Sequence, residues 1–169
     1  MKKSNIKAIF ARKANTIWRE RNQQVQRRHA LPSRLIVNLT SHPPRFDTLP
    51  LTLKCLLTQT VNADRIILWI AEADMAALPA SVHQFTKHGL TIRACEDRRS
   101  YNKIVHAVQA FPKAFLVVAD DDVYYPPDWL ETLVGAYDPG KWEVLCHRAR
   151  AIALATDGSV LPYLQWHPE

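Results

Sequence analysis

Four short apolar segments, each followed by a stretch of helical character, constrain this chain more than any other feature. Residues 35–39, 65–71, 90–95 and 115–119 read as strands, the last being the most apolar. Residues 47–59, 74–88, 99–111 and 127–137 read as the helices between and after them, punctuated by Pro43-Pro44, Gly89 and Pro112, with Pro127 near the start of the last. Strands that are apolar almost throughout, alternating with helices, predict an α/β fold: a mostly parallel sheet with helices on both faces. The length of 169 residues suits one domain that needs no disulfide staple. After Pro139-Gly140 the pattern changes. Residues 143–147 read as a further strand, and 151–156 with 159–164 flank Asp157-Gly158, a hairpin turn signal.

Charge divides the chain into an arm, 1–34, and a body, 35–169. The arm holds ten basic residues against Glu20 alone, a net +9, whereas the body holds 12 basic and 15 acidic residues, a net −3. Its segment 5–29 carries Ile6, Ile9, Phe10, Ala14, Ile17, Trp18 and Val25 at helical spacing on this basic background. Such a helix fits an anionic membrane surface or a partner protein, an extra helix packed on the body, or a loosely ordered arm. Nucleic acid is disfavoured, because aromatic residues do not interleave with the basic ones as a stacking platform. No apolar run approaches the roughly 20 residues of a bilayer span, and the basic start never develops a signal-peptide core. Cys55, Cys95 and Cys146 form no metal-ligand spacing and read as three buried thiols in a reducing compartment. The expected location is the cytoplasm, with peripheral contact at the inner face of the membrane.

In parallel sheets ligands gather at the carboxyl ends of the strands. The first strand is followed by Thr40-Ser41-His42-Pro43-Pro44-Arg45, the third by Glu96-Asp97-Arg98-Arg99-Ser100, and the fourth by Asp120-Asp121-Asp122. Three adjacent carboxylates repel one another, and a divalent cation relieves that repulsion. Mg2+ and Mn2+ take oxygen ligands, often one or two carboxylates together with substrate phosphates. If the strand stays extended, Asp120 and Asp122 share one side and one metal, while Asp121 faces elsewhere. Read alone, Arg45 is a solvated loop cation, Lys103 an exposed helix charge and Ser100 a helix N-cap.

The stretch Val-Val-Ala-Asp-Asp-Asp-Val-Tyr-Tyr-Pro-Pro-Asp-Trp-Leu resembles the D-x-D region of nucleotide-sugar glycosyltransferases with the GT-A fold, of the family-2-like kind found in polysaccharide synthesis. Leu39 to Arg45, the Leu56-Leu57-Thr58-Gln59-Thr60 and Ile66-Ile67-Leu68-Trp69 pair, and Asp97 with Ser100-Tyr101-Asn102-Lys103 resemble the same group in the same order. The resemblance implies a GT-A, Rossmann-like fold and transfer of a sugar from a nucleoside diphosphate, most often uridine diphosphate, to a glycan or lipid-linked acceptor. It places Thr40, Ser41 and Arg45 near base, ribose or phosphate. Asp97 accepts a hydrogen bond from base or ribose, Lys103 lies by the diphosphate, and Asp121 lies by the donor ribose or sugar. Asp120 and Asp122 hold Mn2+ or Mg2+, which stabilises the departing diphosphate.

The resemblance weakens after residue 150. An inverting transferase needs a carboxylate to deprotonate its acceptor, and Asp128, Glu131, Asp138, Glu143, Asp157 and Glu169 are the acids after the triplet. The first two read as helix-face charges, Asp138 as a turn residue and Asp157 as a hairpin tip, so the catalytic base is unassigned. His147 is a possible neighbour of the sugar. The expectation is therefore a donor-binding half whose acceptor part is missing or minimal, with binding without turnover as the alternative. A strand followed by D-x-D-x-V also resembles the phosphohydrolases that use an aspartate nucleophile, but those open with the motif, which here follows the fourth strand.

Overall fold

A computed structural model describes residues 3–141 and 144–168. They fall into two compact units, 1–134 and 135–169.

The first unit is built on a four-stranded parallel sheet of β1 (Leu35–Thr40), β2 (Arg65–Ala71), β3 (Leu90–Cys95) and β4 (Phe115–Val118), in the order β3-β2-β1-β4. Strand alternation sorts β1 between two cores. Leu35, Val37 and Leu39 join Leu68, Ile70 and the helix α2 (Leu49–Leu56) on one face. Ile36 joins Ile67, Trp69 and Ala107 of the helix α3 (Asn102–Ala110) on the other. The buried Asn38 on that second face is satisfied: its Nδ2 donates to the Ile36 carbonyl at 3.0 Å, and its Oδ1 accepts from Trp69 Nε1 at 3.1 Å. The parallel sheet with helices on both faces thus follows the sequence pattern. β4, the most apolar in sequence, is only half-buried, because it pairs with β1 at an edge of the sheet.

The basic arm forms a helix, α1 (Lys3–Arg21), shorter than the 5–29 stripe. Phe10, Ala14 and Trp18, spaced by four, pack into the first core, and Trp18 meets Phe85 edge-on at 5.3 Å. Only this part of the stripe is turned to the body: Ile6 and Ile9 stay exposed, at 51% and 38%, with Lys7, Arg12, Lys13 and Arg19 on the surface. Val25 lies past the last turn and is 98% exposed. There the backbone leaves the helix so that Arg27–Arg28 can pair in parallel with Val61–Asn62. Among the described residues no helix is long and apolar enough to cross a membrane.

Several expected helices are shorter or broken. Residues 74–88 are divided by Pro79, which holds Leu78 extended, into 3-10 turns at Glu72–Ala77 and Gln84–His88 around the single α-turn Ala80–His83. Gly89 then ends the run at φ 99. Residues 99–101 are a 3-10 turn before α3, and Ser100 sits inside it rather than capping the helix. The last helix is α4 (Trp129–Gly135).

In the second unit Arg150–Ala151 pairs antiparallel with His167–Pro168. The expected hairpin is reduced to one bridge, Leu154 to Val160, across a turn in which Gly158 has φ 83 and Asp157 accepts from the Ser159 N–H at 2.9 Å. Val144 to His147 form no strand, and Val144 is 97% exposed; Glu143 and Glu169 lie outside the described residues. Cys55 and Cys95 are buried, but Cys146 is exposed, contrary to the expectation of three buried thiols. No described residue of this unit is buried, so no apolar core forms to enclose that thiol or order the expected strand.

Candidate functional site

The sheet order makes β1 a switch point, with the chain going first to β2 on one side and later to β4 on the other. Loops leaving β1 and β4 part there, opening a crevice at the carboxyl ends. It holds a cavity of about 620 Å³. Thr40, Ser41, Arg45, Asp97, Lys103, Asp120, Asp121 and Asp122, all eight residues singled out from sequence, line it.

Asp121 is the centre of the arrangement. It is buried, and its Oδ2 accepts from Ser41 Oγ at 2.6 Å while its Oδ1 accepts from Arg45 Nη1 at 2.9 Å. The buried Thr52 of α2 donates its hydroxyl to the Asp121 carbonyl at 2.8 Å, fixing the backbone as well. Arg45 Nη1 also reaches Asp122 Oδ2 at 2.5 Å. Arg45 is thus a bridge rather than a solvated cation. The Asp121 charge beside it holds its guanidinium above the ordinary arginine range despite partial burial, with Asp122 adding to the effect.

Asp120 leaves β4 with its N–H donated to Tyr125 Oη at 2.7 Å, and its carboxylate is ion-paired with Lys103 of α3. Burial pushes the Tyr125 hydroxyl well up, so it remains a neutral hydrogen-bonding group. Beyond Asp120 the backbone turns instead of staying extended, so the alternation argument does not hold: Arg45 joins Asp121 to Asp122. Asp120 and Asp122 are both well exposed, with 60% and 53% of their side-chain surface open.

The remaining wall comes from the loop after β3. Asp97 Oδ1 accepts the Arg99 N–H at 2.8 Å, and this bond, helped by the Arg99 charge and Asn102, keeps its carboxyl below the usual range. Asn102 Oδ1 in turn accepts the Arg98 N–H at 2.6 Å. Thr40 Oγ1 donates to the Trp69 carbonyl at 2.8 Å.

Two exposed carboxylates beside a buried third suit a hard divalent cation that takes its other ligands from phosphate and water. Among the described residues there is no cluster of three or more histidine, cysteine or acidic side chains set to hold a metal. Asp120 and Asp122, each ion-paired with a cation of the chain, would be the residues to hold one. Sequence reasoning placed His42 and Arg99 in the strand-end loops without giving them a role, and missed Asp74 as a lining residue and Thr52 and Tyr125 as supports. Asp74 follows the second strand and was visible by the strand-end rule; the supporting roles carry no sequence signal.

His147 belongs to the second unit and is exposed. Asp128 is exposed in the turn before α4 rather than on the helix face, Glu131 accepts from Thr60 and Arg27, and Asp138 accepts the Gly140 N–H of its own turn. No protein-family model matches the chain, and comparisons with curated proteins and with solved structures likewise find no match.

Proposed function

We propose that the chain binds a nucleoside-diphosphate sugar at the β1/β4 crevice and serves a metal-dependent glycosyltransferase of GT-A type. The observation that carries the reading is the gathering of the eight residues, drawn from three separate loops, on one cavity at the switch point. The charge balance supports a metal. Asp74, Asp97, Asp120, Asp121 and Asp122 face Arg45, Arg99 and Lys103, so the cavity is net negative. A diphosphate entering it alone meets repulsion, and a divalent cation entering with it removes that repulsion.

In this reading Asp120 and Asp122 hold Mn2+ or Mg2+, and the ion, when bound, stabilises negative charge on the leaving diphosphate. Ser41, Arg45 and Thr52 hold Asp121 and the acidic turn in place before ligand arrives. Lys103 is the point charge for the diphosphate, and Asp97 and Thr40 are the polar groups for base or ribose. The acceptor is a glycan or lipid-linked glycan, and the basic surface of α1 suits an anionic membrane through charge alone. A second reading, binding without turnover, is favoured by one observation. Four of the five cavity carboxylates are bonded to their own chain, and none is assigned as base.

Calorimetric titration with uridine and guanosine diphosphates, with and without Mn2+, tests the proposal. Mn2+-dependent binding that disappears in Asp120→Ala/Asp122→Ala is the expected result. A folded wild-type chain that binds neither nucleotide in Mn2+ overturns it.

A further inference from the structure

Arg99 is the one residue other than glycine with positive φ among the described residues, at 57°. That left-handed conformation is unfavourable for a side chain like arginine's. It is held by the Asp97 carboxylate on its own N–H and by Asn102 on the N–H before it. The result separates two adjacent arginines. Arg98, at φ −121, pairs with Glu96 at 2.8 Å and does not line the cavity. Arg99 does line it, with a side chain 90% exposed and only a long 3.7 Å approach of its Nε to Asp97. The other two cations of the cavity are already committed, Arg45 to Asp121 and Asp122 and Lys103 to Asp120. Strain kept at a cavity wall is a pointer to function when the surrounding bonds hold it there.

We propose that Arg99 is a further anion-binding residue of this cavity beside Lys103, its guanidinium donating to the diphosphate of the bound nucleotide. This rests on the donor-site reading above. A planar guanidinium offers two parallel N–H donors to phosphate oxygens, which a carboxylate-bound lysine does not.

The test uses the full chain with Arg99→Gly and Arg99→Asn, read by thermal melting and by titration with uridine diphosphate in Mn2+. Glycine adopts φ 57 freely and asparagine tolerates it, so both variants are expected to melt at or above the wild-type temperature. Both are expected to bind about tenfold more weakly, which corresponds to ~1.4 kcal/mol. A purely structural arginine gives the opposite pair, lower melting or unchanged binding. Either variant binding within twofold of wild type overturns the proposal while leaving the donor site standing. A wild-type chain that binds no nucleoside diphosphate overturns both.

Discussion

The bond between Arg45 and Asp121 allows a quantitative test of how the site is held. Only 9% of the Asp121 side chain is exposed, against 41% for Arg45. Removing one partner of a fully buried pair costs about 3–5 kcal/mol, because the other charge is left uncompensated. Here water reaches the guanidinium side, and Ser41 still donates to Asp121 at 2.6 Å. Roughly half that cost is therefore expected for Arg45→Met, about 2 kcal/mol. With a urea m-value of about 2 kcal/mol/M the midpoint falls by about 1 M. In Asp121→Asn the amide nitrogen replaces one acceptor and faces either Ser41 or Arg45, a loss of about 1–2 kcal/mol. The double variant leaves neither charge stranded, so its loss is smaller than the sum, with a coupling of about 1 kcal/mol. Urea unfolding of the four proteins measures this cycle. Coupling under about 0.3 kcal/mol means the two side chains act independently and refutes the bridging role.

Two further outcomes follow from local geometry. Gly89→Ala has open space around the new Cβ, so its cost is that of φ 99 alone, about 1 kcal/mol, whereas Gly135→Ala, at the end of α4 and without positive φ, is neutral within about 0.5 kcal/mol; thermal melts compare them. Burial raises the Asp64 carboxyl, but the Leu35 N–H at 2.7 Å and His29 at 2.9 Å outweigh it and hold the group below its ordinary 3.8. A depressed carboxylate stabilises the fold above its unfolded value and loses that contribution as pH falls through the folded one. Wild-type stability is therefore expected to drop more steeply below about pH 4 than that of Asp64→Asn, measured by urea midpoints from pH 2 to 6.

The central strand β2 was legible because burial on both faces writes it as an apolar run, and the edge strand β3 because it starts directly after Gly89; the limits of both agree with the sequence to the residue. Helices were less so. Glu72 to His88 has helical composition, yet Pro79 breaks the hydrogen-bond ladder, and the residues on either side tighten into 3-10 turns against the core through Leu78, Val82 and Phe85. Val25 fitted the α1 stripe by spacing alone, and spacing does not reveal where the surface beneath a helix runs out. In the second unit, apolar residues such as Val144 and Val160 suggested strands, but no core is present for them to face.

At the site, residue types at strand ends identified which groups meet, whereas their partners required tertiary structure. The acidic triplet shows the difference. As an extended strand it would split into one pair and one outsider. As a turn pinned by Thr52 and Tyr125 it places Asp121 inward, against Ser41 and Arg45. The two outer carboxylates are then exposed, each held by a cation of its own chain. If Asp120 and Asp122 hold a metal as proposed, the ion competes with Arg45 and Lys103 for them, and each cation it displaces joins Arg99 in facing phosphate. Metal and nucleotide are therefore expected to bind cooperatively, each favouring the rearrangement the other needs.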